Sequence, residues 1–103
     1  MTADSEPTRA EVDALPGPVL LEFGTDWCPY CVMLRPTVAA LLRQYPEVQH
    51  IAVEDGPGQP LGRSFGVKLW PTFVLMRDRQ VLRHLVCPAP PTFEQAMRAV
   101  HEP

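Results

Sequence analysis

Apolar residues along the chain fall into short runs whose spacing changes from one run to the next. Thr8 followed by Glu11 has the form of a capping box, and RAEVDAL after it predicts a short helix stopped by Pro16-Gly17-Pro18. VLLEFG, from Val19, is a compact apolar run with one charge inside it, the pattern of a strand buried on both faces. From Pro29 onward Leu34, Val38, Leu41, Leu42 and Tyr45 recur at helical spacing and predict an amphipathic helix. VQHIAVE (48–54) reads as a second strand, DGPGQP as a loop, and LGRSFG as one short helical turn. TFVLM (72–76) and VLRHLV (81–86) predict a hairpin. Its turn carries Asp78-Arg79 instead of an Asn-Gly pair, and arginine is unfavourable at positive φ, so a longer loop or another turn type is expected. Thr92 and Gln95 form a further capping box, and Phe93, Ala96, Met97 and Val100 line one face of a C-terminal helix.

The resulting order is α, β, α, β, short α, β, β, α. The two early strands, joined through a helix, run parallel with a right-handed crossover, while the late hairpin is antiparallel. The expected fold is α/β: a mixed four-stranded sheet, or five-stranded if the N-terminal segment adds one, with helices on both faces. The whole chain, 1–103, is expected to form one domain, with 1–18 as an N-terminal helix and linker.

Composition narrows the function. Hydrophobic residues make up 46% and charged residues 20%, which argues against disorder. A formal net charge of −3 leaves no basic footprint for nucleic acid. The N-terminus is polar and acidic, without the charged-then-apolar pattern of a signal peptide, and no apolar run reaches the ~20 residues of a membrane span. The expectation is a cytoplasmic monomer that binds neither nucleic acid nor membrane. Proline is the outlier, 13 in 103 residues, and most prolines punctuate the gaps between elements; Pro36 and Pro71 do not.

Two of the three cysteines stand in DWCPYC at the predicted start of the long helix. Proline is favoured at the first helical position, so Pro29 makes Cys28 the N-cap residue. The Cys28 sulfur then faces unpaired N–H groups and the positive end of the helix dipole, which favour a thiolate. Cys31 lies one turn further in and is more covered. The predicted division of labour is that Cys28 attacks a disulfide and Cys31 resolves the mixed disulfide. Two other readings remain: half of a zinc site, for which the chain offers one further Cys and three widely spaced His, or two small core residues.

WCPYC, the proline five residues after its second cysteine, and WPTF forty residues on together resemble the thioredoxin family over roughly Val19 to Val100. The inner Pro29-Tyr30 pair is similar to the glutaredoxin motif. The resemblance implies a thioredoxin-like fold and a thiol–disulfide oxidoreductase that reduces protein disulfides, without cofactor or metal, fed by a reductase or by glutathione. Pro36 matches the family's helix-kinking proline and Pro71 its cis-proline, which would free the Trp70 backbone to pair with an extended substrate segment. Trp27 matches the tryptophan before the first cysteine, so Trp27, Pro29, Tyr30, Trp70 and Pro71 are expected to form the substrate surface. Trp70 is larger than the residue that usually precedes this proline. Glu22 stands where thioredoxins carry a buried Asp and would act as general base toward Cys31. The Lys that accompanies that Asp is missing, with Ile51 or Val53 near its place.

Cys87 follows the last strand, where the family has Gly; it would lie near Cys28 as a third thiol, a substrate contact or a modification site. His50 and His84 receive no role. Two alternatives stand beside the leading function. One is a glutathione-dependent, glutaredoxin-like enzyme, although VCPAPPTF lacks that family's Gly-Gly segment and acidic pair. The other is a non-catalytic thioredoxin-fold protein that holds peptides.

Overall fold

A computed structural model describes residues 6–101. Its elements in chain order are α1 (Arg9–Asp13), β1 (Pro18–Gly24), α2 (Pro29–Gln44), β2 (Gln49–Glu54), α3 (Pro60–Ser64), β3 (Thr72–Arg77), β4 (Gln80–Val86) and α4 (Pro90–His101). Among the described residues the sheet has four strands in the order β2-β1-β3-β4. The segment left open for a fifth strand falls partly on residues 1–5, outside the described range.

The long apolar runs become the two central strands. β1 pairs in parallel with β2, placing Glu22 opposite Ala52, and antiparallel with β3, placing Glu22 opposite Phe73. A strand with neighbours on both edges and helices over both faces can tolerate almost no polar side chain, so β1 and β3 are buried nearly throughout. Alternation then sorts their side chains. Leu20, Phe73 and Leu75 pack with Leu34, Val38 and Leu41 of α2 and with Phe93, Met97 and Val100 of α4. Val19, Leu21, Phe23, Val74 and Met76 pack with Val12 of α1 and Leu61 of α3 on the other face. Phe73 and Phe93 meet with ring centroids 4.5 Å apart, joining α4 to the sheet centre.

The capping box at Thr8 forms in both directions: its hydroxyl accepts the Glu11 N–H at 3.1 Å, and its own N–H donates to the Glu11 carboxylate at 2.9 Å. The helix behind it ends at Asp13, short of Leu15. Arg9 stacks over the Phe65 ring at 3.8 Å and donates to the Ser64 carbonyl at 2.6 Å, which anchors α1 to α3.

Two sequence expectations are corrected. The hairpin has no longer loop: Arg77 pairs with Gln80 across a two-residue turn in which Asp78 (φ 50°) and Arg79 (φ 77°) are both left-handed. The turn is held from outside. The Asp78 carboxylate accepts the Gly17 N–H at 3.0 Å, while the Arg77 guanidinium donates to the Val100 and His101 carbonyls, each at 2.6 Å, at the end of α4. These anchors offset the conformational cost at Arg79. The second correction concerns α4, which starts at Pro90, so that Thr92 lies within its first turn and caps nothing. Pro90 and Pro91 have no N–H to leave unpaired there, and the first helical bond runs from Phe93 N–H to the Ala89 carbonyl at 3.1 Å.

Replacing the left-handed Arg79 with glycine should remove a steric penalty of ~1–2 kcal/mol and lose part of that gain to unfolded-chain entropy. We expect Arg79→Gly to raise the midpoint of urea unfolding by the equivalent of about 0.5–1 kcal/mol. An unchanged or lowered midpoint would show that the Arg79 side chain contributes something the turn needs.

Candidate active site

α2 begins where the sequence places it. Cys28 is the N-cap, Pro29 opens the helix, and the Cys28 sulfur accepts the Cys31 N–H at 3.3 Å. The Cys28 carbonyl accepts the Val32 N–H at 3.1 Å. Both cysteines are buried and neither is in a disulfide. Pro36 lies inside α2 and cannot donate to the Val32 carbonyl one turn back.

Cys31 sits over the end of β1. A Cβ at Gly24 would stand 2.7 Å from the Cys31 sulfur, so only glycine lets the helix approach this closely. Burial pushes the Cys31 thiol up to about 11, with further upward contributions from its hydrogen bond to Cys28 and from the charges of Cys28 and Glu22. A hydrogen bond from the Thr25 backbone opposes the shift. The two sulfurs are therefore unequal: one caps a helix, and the other is held as a thiol beneath it.

The loop before β3 closes the other side. The Trp70–Pro71 peptide is cis. Trp27, 71% exposed, meets Trp70 edge-on with centroids 5.6 Å apart, so the residue before Cys28 touches the residue before Pro71. The Trp70 indole N–H donates to Asp55 at 2.8 Å, which fixes the ring. Trp70 is thus half-buried and braced, not a free plug. Pro29 is exposed, whereas the Tyr30 hydroxyl donates to the Pro88 carbonyl at 3.1 Å and ties α2 to the segment before α4.

Cys87 is left-handed, with φ 47°. Its N–H donates to the Pro71 carbonyl at 2.9 Å and its thiol to the Trp70 carbonyl at 3.3 Å. It is brought to the cis-proline segment, on the very backbone assigned to substrate pairing. Around the site Trp27, Met33 and Leu69 are large exposed apolar side chains, the last two outside the set the sequence singled out.

Glu22 is 6% exposed and points to the α2 face of the sheet, the same face as Gly24 two residues on. Its Oε1 lies 2.8 Å from His50 Nε2. The residue opposite Glu22 is Ala52, and His50 stands two places earlier on the same face of β2, opposite Leu20. Ile51 and Val53 point away. Glu22 and His50 both line a cleft of about 460 Å³ between α2 and β2, together with Asp26, Arg35, Val38, Ala39, Leu42 and Ala52. At its rim Arg35 donates to Asp26 at 3.2 Å. His84 is exposed on β4.

Sequence reasoning missed His50, Gly24 and Asp55. The first had a signal, since a charge in a buried strand demands a partner and His50 is a polar residue of the neighbouring strand able to donate to it. Among the described residues no three His, Cys, Asp or Glu converge as metal ligands, and no helix is long and apolar enough to cross a membrane.

A family model described as thioredoxin matches residues 2–99. Thioredoxin 2 of Pseudomonas aeruginosa, solved in its reduced form, is 49% identical and superposes with a TM-score of 0.82 over 93% of this chain and 90% of that one. Thioredoxin Asp f 28 of Aspergillus fumigatus is 33% identical over 70 residues, covering 68% of this chain and 65% of that protein. Chloroplastic thioredoxin F-type of Brassica napus is 31% identical over 68 residues, covering 65% of this chain and 37% of that protein. The chain thus spans less than two thirds of the length of either curated relative.

With its thiol held near 11, Cys31 should have a thiolate fraction of about 10⁻³ at pH 8 and resist alkylation by iodoacetamide until far more alkaline pH. The raised value also means that the reduced fold keeps a proton the unfolded chain loses. Its stability should fall between about pH 9 and about pH 11, and Cys31→Ala should flatten that fall in urea unfolding. Ready alkylation of Cys31 near pH 8 would contradict the burial argument.

Proposed function

The chain belongs to the thioredoxin family, and we propose that it is a thiol–disulfide oxidoreductase that reduces disulfides in protein partners through Cys28 and Cys31. The observation that carries the proposal is the unequal sulfur pair: Cys28 at the N-cap accepts the Cys31 N–H, while Cys31 is buried over Gly24. The Cys28 thiolate attacks one sulfur of a substrate disulfide, forming the mixed disulfide and releasing the first substrate thiolate. Cys31 then loses its proton, its thiolate attacks the Cys28 sulfur, and the bond from Cys28 to the substrate breaks. The second substrate thiolate leaves and is protonated by water; the substrate has gained two electrons and the protein holds a Cys28–Cys31 bridge.

Glu22 is the base for the Cys31 proton. It lies on the face of β1 that carries Gly24, beneath the Cys31 sulfur, and its charge is felt there. The substrate segment lies along the Trp70–Pro71 backbone, flanked by exposed Trp27. To pair with the Trp70 carbonyl it shares or displaces the Cys87 thiol. In this proposal the protein acts as a cytoplasmic monomer and is re-reduced by a partner reductase rather than by glutathione.

The test is disulfide reduction with insulin as substrate. Cys28→Ser should abolish it, and Cys31→Ser should stall as a mixed disulfide visible by mass spectrometry. The reduction potential against glutathione buffers is expected near the ~−270 mV of thioredoxin couples, below the ~−200 to −230 mV of glutaredoxins. Activity that survives in Cys28→Ser would overturn the proposal, and a potential in the glutaredoxin range would move the electron source to glutathione.

A further inference from the structure

Resting on the reading of Glu22 as the base for Cys31, we propose that His50 is the positioning residue that receives the proton from Glu22 and releases it to the cleft between α2 and β2. A carboxylate that is 6% exposed in a central strand can take a proton from Cys31 only if it can then pass it on. The Glu22 carboxylate has one hydrogen-bond partner among the described side chains, His50 Nε2 at 2.8 Å. The His50 side chain is 29% exposed, against 8% for that of Glu22, so the pair spans from the site's interior to its edge.

The placement is set by strand geometry. Cys31 Sγ, Gly24, Glu22 and His50 follow one another along a single face of the parallel pair β1–β2. Proton transfer from Cys31 Sγ–H leaves a Cys31 thiolate and a neutral Glu22 carboxyl. In the neutral tautomer that carries its proton on Nδ1, His50 takes the proton of that carboxyl on Nε2, restoring the carboxylate beside an imidazolium. Nδ1 then gives up its proton to water, and proton exchange between the two ring nitrogens through cleft water restores the starting tautomer. One proton has moved from Cys31 to solvent, and no electrons move in this relay. Imidazole suits the task because its two ring nitrogens can take up a proton on one side and release one on the other.

Glu22 faces it from β1, Arg35 lines the cleft from α2 and is paired with Asp26 from the β1–α2 loop, and Glu54 follows on the same face of β2.

The test follows the reaction of the reduced protein with Ellman's reagent, in a Cys87→Ala background that leaves only the pair to react. Attack by Cys28 and resolution by Cys31 each release one coloured thiolate, in separate phases. His50→Gln can still donate a hydrogen bond to Glu22 but cannot relay a proton. It should leave the first phase unchanged and slow the second about tenfold at pH 7, less than the ~10²-fold or more expected when the direct base is lost in Glu22→Gln. In His50→Ala, added imidazole should restore the second phase, with a dependence on pH that follows imidazole's own titration. Imidazole should do nothing for Glu22→Gln.

A second phase equally fast in wild type and in both His50 variants, while Glu22→Gln is slow, would overturn the inference and leave the base assignment standing. If Glu22→Gln is also fast, the base assignment fails with it. If wild type releases only one thiolate, the oxidoreductase reading itself fails.

Discussion

Where β1 ends, the absence of a side chain at Gly24 lets the first turn of α2 come down onto the strand, with the Cys31 sulfur in the space a Cβ would fill. The other features of the site depend on that approach. It buries Cys31 and keeps its thiol protonated, and it leaves the Cys28 sulfur as the cap over the helix N-terminus. It also brings Cys31 beside the face of β1 that carries Glu22. Even a methyl group at Gly24 would push the sulfur away, because the contact at 2.7 Å is below any normal van der Waals separation and the Cys31 side chain is too short to yield.

One polar side chain inside the apolar sheet and one just past the end of β2 frame this arrangement. Burying Glu22 is costly unless the carboxylate is partnered, and the partner comes from the edge strand, not from the helix that covers it. At the opposite side of the site, Asp55 performs a comparable service for Trp70 by accepting its indole N–H, so that a large aromatic can stand before Pro71 without swinging into solvent. Trp27 rests against that braced ring while remaining mostly exposed. Under the proposed function, an extended substrate segment would meet this fixed apolar surface at little cost in side-chain entropy.

Cys87 adds a feature of its own. Its left-handed backbone is a conformation that usually falls to glycine, and its thiol occupies the Trp70 carbonyl. The site therefore carries a third sulfur at the cis-proline segment, held by the same backbone bonds that end β4.

Much of this was determined by the sequence alone. The apolar run 19–24 reads as a strand buried on both faces and 72–76 as the first strand of a hairpin, and the Cys28-Pro29 junction fixes a helix start because proline's missing N–H and preset φ belong there. The CxxC pair at a helix start, the helix phase of Leu34, Val38 and Leu41, and a parallel βαβ unit followed by an antiparallel hairpin follow from local chemistry and short spacings. The tertiary structure decided the rest. Arg79 adopts positive φ because Asp78 and Arg77 are held by Gly17 and by the end of α4, partners far away in sequence. α4 begins at Pro90, not at a Thr92 cap, and Phe93 in its first turn packs on Phe73 of the sheet. His50 acquired its place from the register of β1 against β2, which sets it beside Glu22 and leaves Ile51 on the other face. Capping and periodicity act over a few residues and are written in the sequence. Register, left-handed turns and the partner of a buried charge are settled by contacts between residues far apart in the chain, and these exist only once the sheet has formed.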